Sequence, residues 1–109
     1  MFNLTGINIL KGKLSPSLWD KTTMIRFYLP ACCRCLQSQS TYIELDNHVG
    51  GKYNIAQLDC SLYLMVAYQI SGFRMKEVPT FAIFKNGEFK YKYTGNITIK
   101  DMMSALDST

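Results

Sequence analysis

The chain alternates short apolar runs with polar, turn-rich breaks, and the period of each run predicts the element it forms. Ile7-Asn8-Ile9-Leu10, set between Gly6 and Gly12, predicts a short first strand. Ser15-Pro16-Ser17-Leu18-Trp19-Asp20 predicts a short helix with Ser15 as N-cap and Pro16 at its first position, and Trp19 is assigned to the core. Residues 23–29, built on the run Met24-Ile25-Arg26-Phe27-Tyr28-Leu29, predict a buried strand. No Gly or Pro follows until Gly50, which predicts a helix from about Cys32 to Asn47 or His48, ended by Gly50-Gly51. Tyr53 to Asp59 predicts the next strand, and Ser61 to Ile70 a helix packed through Leu62, Met65, Val66 and Tyr68. Thr80 to Phe84 and Glu88 to Tyr93 flank Asn86-Gly87, the two-residue hairpin signal. Thr98 to Leu106 closes as a helix, with Thr98 as N-cap and Asp101 three residues on, approximating a capping box.

The order β-α-β-α-β-α-β-β-α with short connections fits an α/β fold: a central mixed β-sheet flanked by helices on both faces. At 109 residues the chain suffices for one sizeable core, so residues 1–109 are expected to form a single domain. With 48% apolar residues and 13% aromatics, it can bury enough surface to exclude disorder. No apolar run approaches the roughly 18 residues needed to span a bilayer. The net charge of +4 is mild and its Lys and Arg are spread. The small cluster Lys85, Lys90 and Lys92 reads as solvated strand faces, so neither nucleic acid nor a membrane is an expected partner. Met1 to Gly6 lacks a charged region followed by a long apolar one. The cytoplasm is therefore favoured, and an oxidising lumen is the alternative should the chain be a piece of a longer protein.

Three of the four cysteines crowd into Cys32-Cys33-Arg34-Cys35, poor geometry for structural staples and better suited to chemistry. Strand, short turn, C-x-x-C, helix is an arrangement in which thiol acidity is tunable. Cys32 is expected in the first helical turn, where unpaired N–H groups and the positive dipole end favour a thiolate. Cys35, one turn on, shares its face and lies within reach of a disulfide to Cys32, whereas Cys33 points about 100° away. The pair reads as a redox dithiol. Cys33 reads as an exposed thiol, with a third redox thiol as the alternative, and Cys60 as a small packed residue at a strand end. The spacing C-C-x-C is no standard zinc finger, and His48 should lie roughly 20 Å along the helix, so no metal is expected. The same distance argues against Cys–His nucleophilic hydrolysis. His48 itself reads as a helix C-terminal residue favoured by the dipole.

The stretch Phe27-Tyr28-Leu29-Pro30-Ala31-Cys32-Cys33-Arg34-Cys35 resembles the active-site segment of the thioredoxin superfamily. It is closest to the protein-disulfide-isomerase branch, whose domains carry F-Y-A-P-W-C-G-H-C. Glu77-Val78-Pro79-Thr80-Phe81-Ala82-Ile83-Phe84-Lys85-Asn86-Gly87-Glu88 resembles the second family signature, and Tyr93-Thr94-Gly95 the glycine closing the last strand. The similarity spans residues 22–107. It implies a thioredoxin fold and thiol–disulfide exchange with protein or peptide substrates, with no cofactor beyond a redox-active Cys32–Cys35 disulfide. Cys32 would be the exposed nucleophile and Cys35 the buried resolving thiol. Pro79 would be a cis-proline facing the dithiol, and Val78 would offer its backbone N–H and C=O to an extended substrate. Ala31 and Arg34 complete the implied substrate-binding set. A reductase or oxidase would reset the dithiol, and a monomer is expected.

Departures from the family pattern are as informative. Cys33-Arg34 replaces Gly-His or Gly-Pro, and a fixed cation near Cys32 should favour the reduced form, making the disulfide more oxidising. Ala31 stands where the family has Trp. The family's buried carboxylate is replaced by Arg26, expected to snorkel or to pair with an acid such as Asp59 or Glu44. Its loss should slow the resolving step. The segment Ser71 to Glu77 is a few residues long for the family and reads as a tolerated surface insertion, with substrate contact as the alternative. Two other functions stay open. One is a non-catalytic peptide-binding module using the groove at Val78 and Pro79. The other is a thiol redox sensor in which Cys33 resolves Cys32.

Overall fold

The computed structural model describes residues 1–10 and 13–109. Strands β1 (Phe2–Asn3), β4 (Thr23–Tyr28), β5 (Asn54–Asp59), β6 (Thr80–Lys85) and β7 (Glu88–Tyr93) form one sheet in the order β1-β5-β4-β6-β7. A separate antiparallel pair joins β2 (Ile9–Leu10) to β3 (Lys13–Leu14). The main sheet is mixed: β4 runs parallel to β5 and antiparallel to β6. On one face Met24, Ile55, Phe81 and Ile83 meet Tyr42 and Leu45 of α1 (Cys33–Val49) and Met102 and Leu106 of α3 (Ile99–Asp107). On the other, Ile25, Phe27, Leu58 and Ala82 meet Cys60, Ala67 and Ile70 of α2 (Cys60–Ser71). The strand alternation of period two thus feeds both faces, as expected of a sheet with helices on each side. Tyr42 ties α1 to two strands: its hydroxyl lies 2.9 Å from the Met24 carbonyl and 2.6 Å from that of Ala56.

The strand expected over residues 7–10 is displaced. Gly6–Asn8 is a 3-10 turn, and only Ile9–Leu10 is extended, paired outside the main sheet. The Asn8 side chain accepts from the Thr5 N–H at 2.8 Å, a local bond that competes with strand pairing. The sheet's true edge is Phe2–Asn3, parallel to Ala56 and Gln57; two exposed residues leave no periodic signal. Gly12, placed behind that strand, lies outside the described residues.

Ser15–Asp20 shrinks to a 3-10 turn at Pro16–Leu18, whose Ser15 makes no side-chain cap. Trp19 is not core: it is 41% exposed, with its indole N–H donating to the Leu14 carbonyl at 2.7 Å. The ring lies against Gly87, at the second position of the Asn86-Gly87 turn, where a Cβ would come 2.0 Å from the indole nitrogen. Gly87 also has φ +80°, in the left-handed region. Gly87→Ala is therefore expected to lose about 2 kcal/mol, since left-handed strain of roughly 1–2 kcal/mol adds to displacement of the indole. Urea denaturation checks this, and unchanged stability would mean that the hairpin tip adapts freely.

Helix α2 packs through a different face from the one expected. Cys60, Ala67 and Ile70 are buried, whereas Leu62, Met65 and Tyr68 are 71%, 67% and 51% exposed. Val66 is the one of the four expected residues that packs on the core. The helix is apolar nearly all round, so spacing does not mark its inner face. A non-helical residue, Tyr63 (φ −129°, ψ 39°), also shifts the phase after the first turn. In α3, Thr98 Oγ1 accepts from the Asp101 N–H at 3.2 Å, while the Asp101 carboxylate takes the Asn96 side-chain amide at 3.0 Å. That arrangement forms one half of the capping box.

Candidate active site

The site is built where β4 ends and α1 begins. Pro30 disfavours helical backbone at Leu29, so the chain leaves the strand through a tight turn, with the Cys32 N–H donating to the Leu29 carbonyl at 3.1 Å. Cys32 is extended (φ −81°, ψ 122°) and is the N-cap, one residue outside the helix rather than in its first turn. Its sulfur takes the cap role, accepting from the Cys35 N–H at 3.2 Å. The sequence signal missed this because cysteine is not among the usual cap residues.

Cys32 is half-buried and Cys35 is 2% exposed, with the Leu29 N–H directed at the Cys35 sulfur at 3.5 Å. Both are thiols here, as are exposed Cys33 and buried Cys60. The adjacent Cys35 side chain, the N–H groups of Cys35 and Arg34, and the Arg34 guanidinium together lower the Cys32 pKa. Burial, and then the neighbouring Cys32 side chain, push Cys35 up to about 11. The two thiols are thus split in acidity by their surroundings, and Cys32 ionises first. Burial pushes Cys60 up to about 12, with its sulfur 3.6 Å from the Leu58 carbonyl, which leaves it an inert packed thiol.

Beneath the dithiol lies Arg26, only 3% exposed. It neither snorkels nor pairs with an acid. Its guanidinium donates to the Cys35 carbonyl at 2.8 Å, to Ser38 Oγ at 3.3 Å and to Gln57 Oε1 at 2.9 Å. The group also lies 4.6 Å from the Tyr28 ring centroid and 5.7 Å from that of Tyr42. Its Nε is buried with no partner among the described residues. The register explains the outcome, since β4 and β5 pair Arg26 with Gln57. Asp59 is engaged elsewhere, its carboxylate accepting from the Ser61 N–H at 2.9 Å and the Ser61 hydroxyl at 2.6 Å as the cap of α2. Glu44 is exposed on α1.

The Val78–Pro79 peptide is cis. Val78 and Pro79 form one wall of a 480 Å³ groove, and Arg34, Gln37, Ser38 and Thr41 of α1 form the other. Of the residues expected to bind substrate, the groove brings together Arg34, Val78 and Pro79. Ala31 stands apart on the exposed turn before Cys32. Gln37, Ser38 and Thr41 were not foreseen as site residues, although positions 34, 37, 38 and 41 share one helical face by spacing alone. Ser71–Glu77 closes with a 3-10 turn at Met75–Glu77 that puts Lys76 on the groove. Among the described residues no cluster of three His, Cys, Asp or Glu side chains could hold a metal, and no helix is long and apolar enough to cross a membrane.

Thioredoxin Y, chloroplastic, of Oryza sativa subsp. japonica is 24% identical over 89 residues, which cover 82% of this chain and 51% of that protein. The Thioredoxin domain-containing protein 5 homolog of Drosophila melanogaster is 22% identical over 103 residues, 88% of this chain and 24% of that one. The chain spans about half the length, or less, of the curated relatives it matches. Among solved structures, the J-Trx1 fragment of ERdj5 superposes with a TM-score of 0.76 at 20% identity, over 98% of this chain and 48% of that one. Human ERp44 in its zinc-bound form gives 0.79 at 19% identity, over 99% and 29%. Both likenesses show the thioredoxin fold. The thioredoxin family matches residues 13–108, nearly the whole sequence, and the chain belongs to that family.

Proposed function

We propose that this chain is a thiol–disulfide oxidoreductase acting on protein or peptide substrates, with Cys32 as nucleophile and Cys35 as resolving thiol. The observation that carries the reading is the asymmetry of the pair. A partly exposed Cys32 of lowered pKa accepts the Cys35 backbone N–H at 3.2 Å and sits beside the buried Cys35 thiol, whose proton is held tightly. The Cys32 thiolate attacks one sulfur of a substrate disulfide, forming a mixed disulfide and expelling the other sulfur as a thiolate that takes a proton from water. Cys35 then gives up its proton to water and attacks the Cys32 sulfur. The Cys32–Cys35 disulfide forms, the second substrate thiol leaves, and two electrons have passed to the substrate. Run backwards, the same steps oxidise a dithiol substrate, and a reductase or oxidase partner resets the pair.

Arg34 favours the Cys32 thiolate and hence the reduced form. The groove at Val78 and Pro79 holds an extended substrate segment. With Arg26 in place of a carboxylate, the charged side chain acting on Cys35 among the described residues is a cation, which does not accept its proton, so resolution is the slower step. The same substitution favours a second reading, a peptide-binding module that does not turn over. A glutathione redox titration, read by alkylation and mass spectrometry, decides between them. One two-electron transition that pairs Cys32 with Cys35 is expected. A potential near about −270 mV marks a reductant, and one near about −180 mV or above an oxidant or isomerase. Failure of the two to pair selects the binding module, and pairing of Cys32 with Cys33 the sensor.

A further inference from the structure

The groove between α1 and the cis Val78–Pro79 turn has a one-sided charge. Arg34, from between the two reactive cysteines, and Lys76, from the 3-10 turn opposite, both line it and are both exposed. Neither has an ion-pair partner among the described residues. The acid on the same lining, Glu77, is already engaged: its carboxylate meets Lys92 Nζ at 2.7 Å and accepts from the Arg74 N–H at 3.1 Å. The pairing with Lys92 holds the Glu77 carboxyl below its usual range, so it stays ionised and matched to that lysine. Gln37, Ser38 and Thr41 supply only neutral donors and acceptors. Two uncompensated cations therefore face a 480 Å³ concavity, and one of them, Arg34, also acts on the Cys32 sulfur through its charge.

We propose that this groove selects peptide segments that carry acidic side chains beside the reacting disulfide. The inference rests on the oxidoreductase reading and adds a substrate class to it. Complementary charge across a rim acts mainly on encounter rate and register. A solvent-exposed contact of this kind is worth up to about five-fold per pair. Its range is set by salt, with a screening length of about 10 Å at 0.1 M and about 3 Å at 1 M. The segment Ser71–Glu77, which reads from sequence as a plain insertion, then has a use: it carries Lys76 to the groove.

The test uses three disulfide-bonded peptides, identical except for Glu, Gln or Lys on either side of the bridge. Each is reduced by the full chain, and each rate is divided by that with dithiothreitol to remove the peptide's own reactivity. At low salt the Glu peptide is expected to react about three- to five-fold faster than the Gln peptide, and the Lys peptide more slowly still. At 1 M salt the three should converge. In the double variant Arg34→Glu, Lys76→Glu the order should reverse. Equal rates at low salt, or an unchanged order in the double variant, overturn the selection and leave the oxidoreductase reading standing. Failure to reduce any of the three overturns both.

Discussion

Cys32→Ser is expected to lose disulfide exchange by about a thousand-fold or more, because a hydroxyl does not ionise near neutral pH and the thiolate is the attacking species. The variant separates chemistry from folding. Cys32 is the N-cap of α1, and serine caps better than cysteine, so the helix should be at least as stable as before. Cys35→Ser has a different signature. Attack by Cys32 survives while resolution does not, and the protein should accumulate as a mixed disulfide trapped on Cys32. The wild-type pH profile follows from the two shifts. A lowered Cys32 pKa keeps the attacking thiolate populated as pH falls below about 8.5, where an ordinary thiol is already losing it. Resolution depends on Cys35 at about 11, so it should speed up as pH rises toward that value. Single-turnover rates and intact-mass spectra read all three outcomes. A Cys32→Ser variant that still exchanges would transfer the role to Cys33.

Arg26→Ala is expected to destabilise the fold by about 3 kcal/mol. The truncation removes one donor from the Cys35 carbonyl, which keeps the Ser38 hydroxyl at 2.9 Å, and the guanidinium donor from the half-buried Gln57 side-chain oxygen, together about 1 kcal/mol. It also opens a hole between β4 and α1, a further few kcal/mol at sites that cannot collapse. Working the other way, a buried guanidinium with no acid partner carries a desolvation penalty that disappears with it. The first two effects win for alanine. For Arg26→Met the balance changes: the volume is kept, the penalty is gone, and stability should return to within about 1 kcal/mol of the parent. Guanidinium denaturation of both variants decides. An alanine variant as stable as the parent would show that the buried cation is tolerated rather than used.

Much of this was legible in the sequence because several independent signals agreed. The strand over Thr23–Tyr28, the uninterrupted helix after it and the Asn86-Gly87 hairpin each rest on local chemistry that packing reinforces. The dithiol and Pro79 were legible because a short motif fixes their place on those elements. What failed depended on non-local facts. Trp19 is an apolar residue that tertiary contact leaves against a glycine at the surface. The inner face of α2 is set by a kink at Tyr63, which an almost wholly apolar helix does not announce. The partners of Arg26 followed from strand register and from Asp59 already serving as a cap, neither of which composition reveals.

On the proposed oxidoreductase reading, the cap at Cys32 bears on the redox balance of the pair. The sulfur that accepts the Cys35 N–H is the one that would bond to Cys35 in the proposed oxidised form, so oxidation would change what secures the first turn of α1. Helix-end stability and reduction potential are linked under that reading: only the part of the helix-end free energy that differs between the reduced and oxidised states enters the potential. A cap worth about 1 kcal/mol corresponds to roughly 20 mV for a two-electron couple. A change at the start of one helix is then expected to move the potential by roughly 20 mV, a fraction of the interval between the reductant and oxidant values given above, without touching either cysteine.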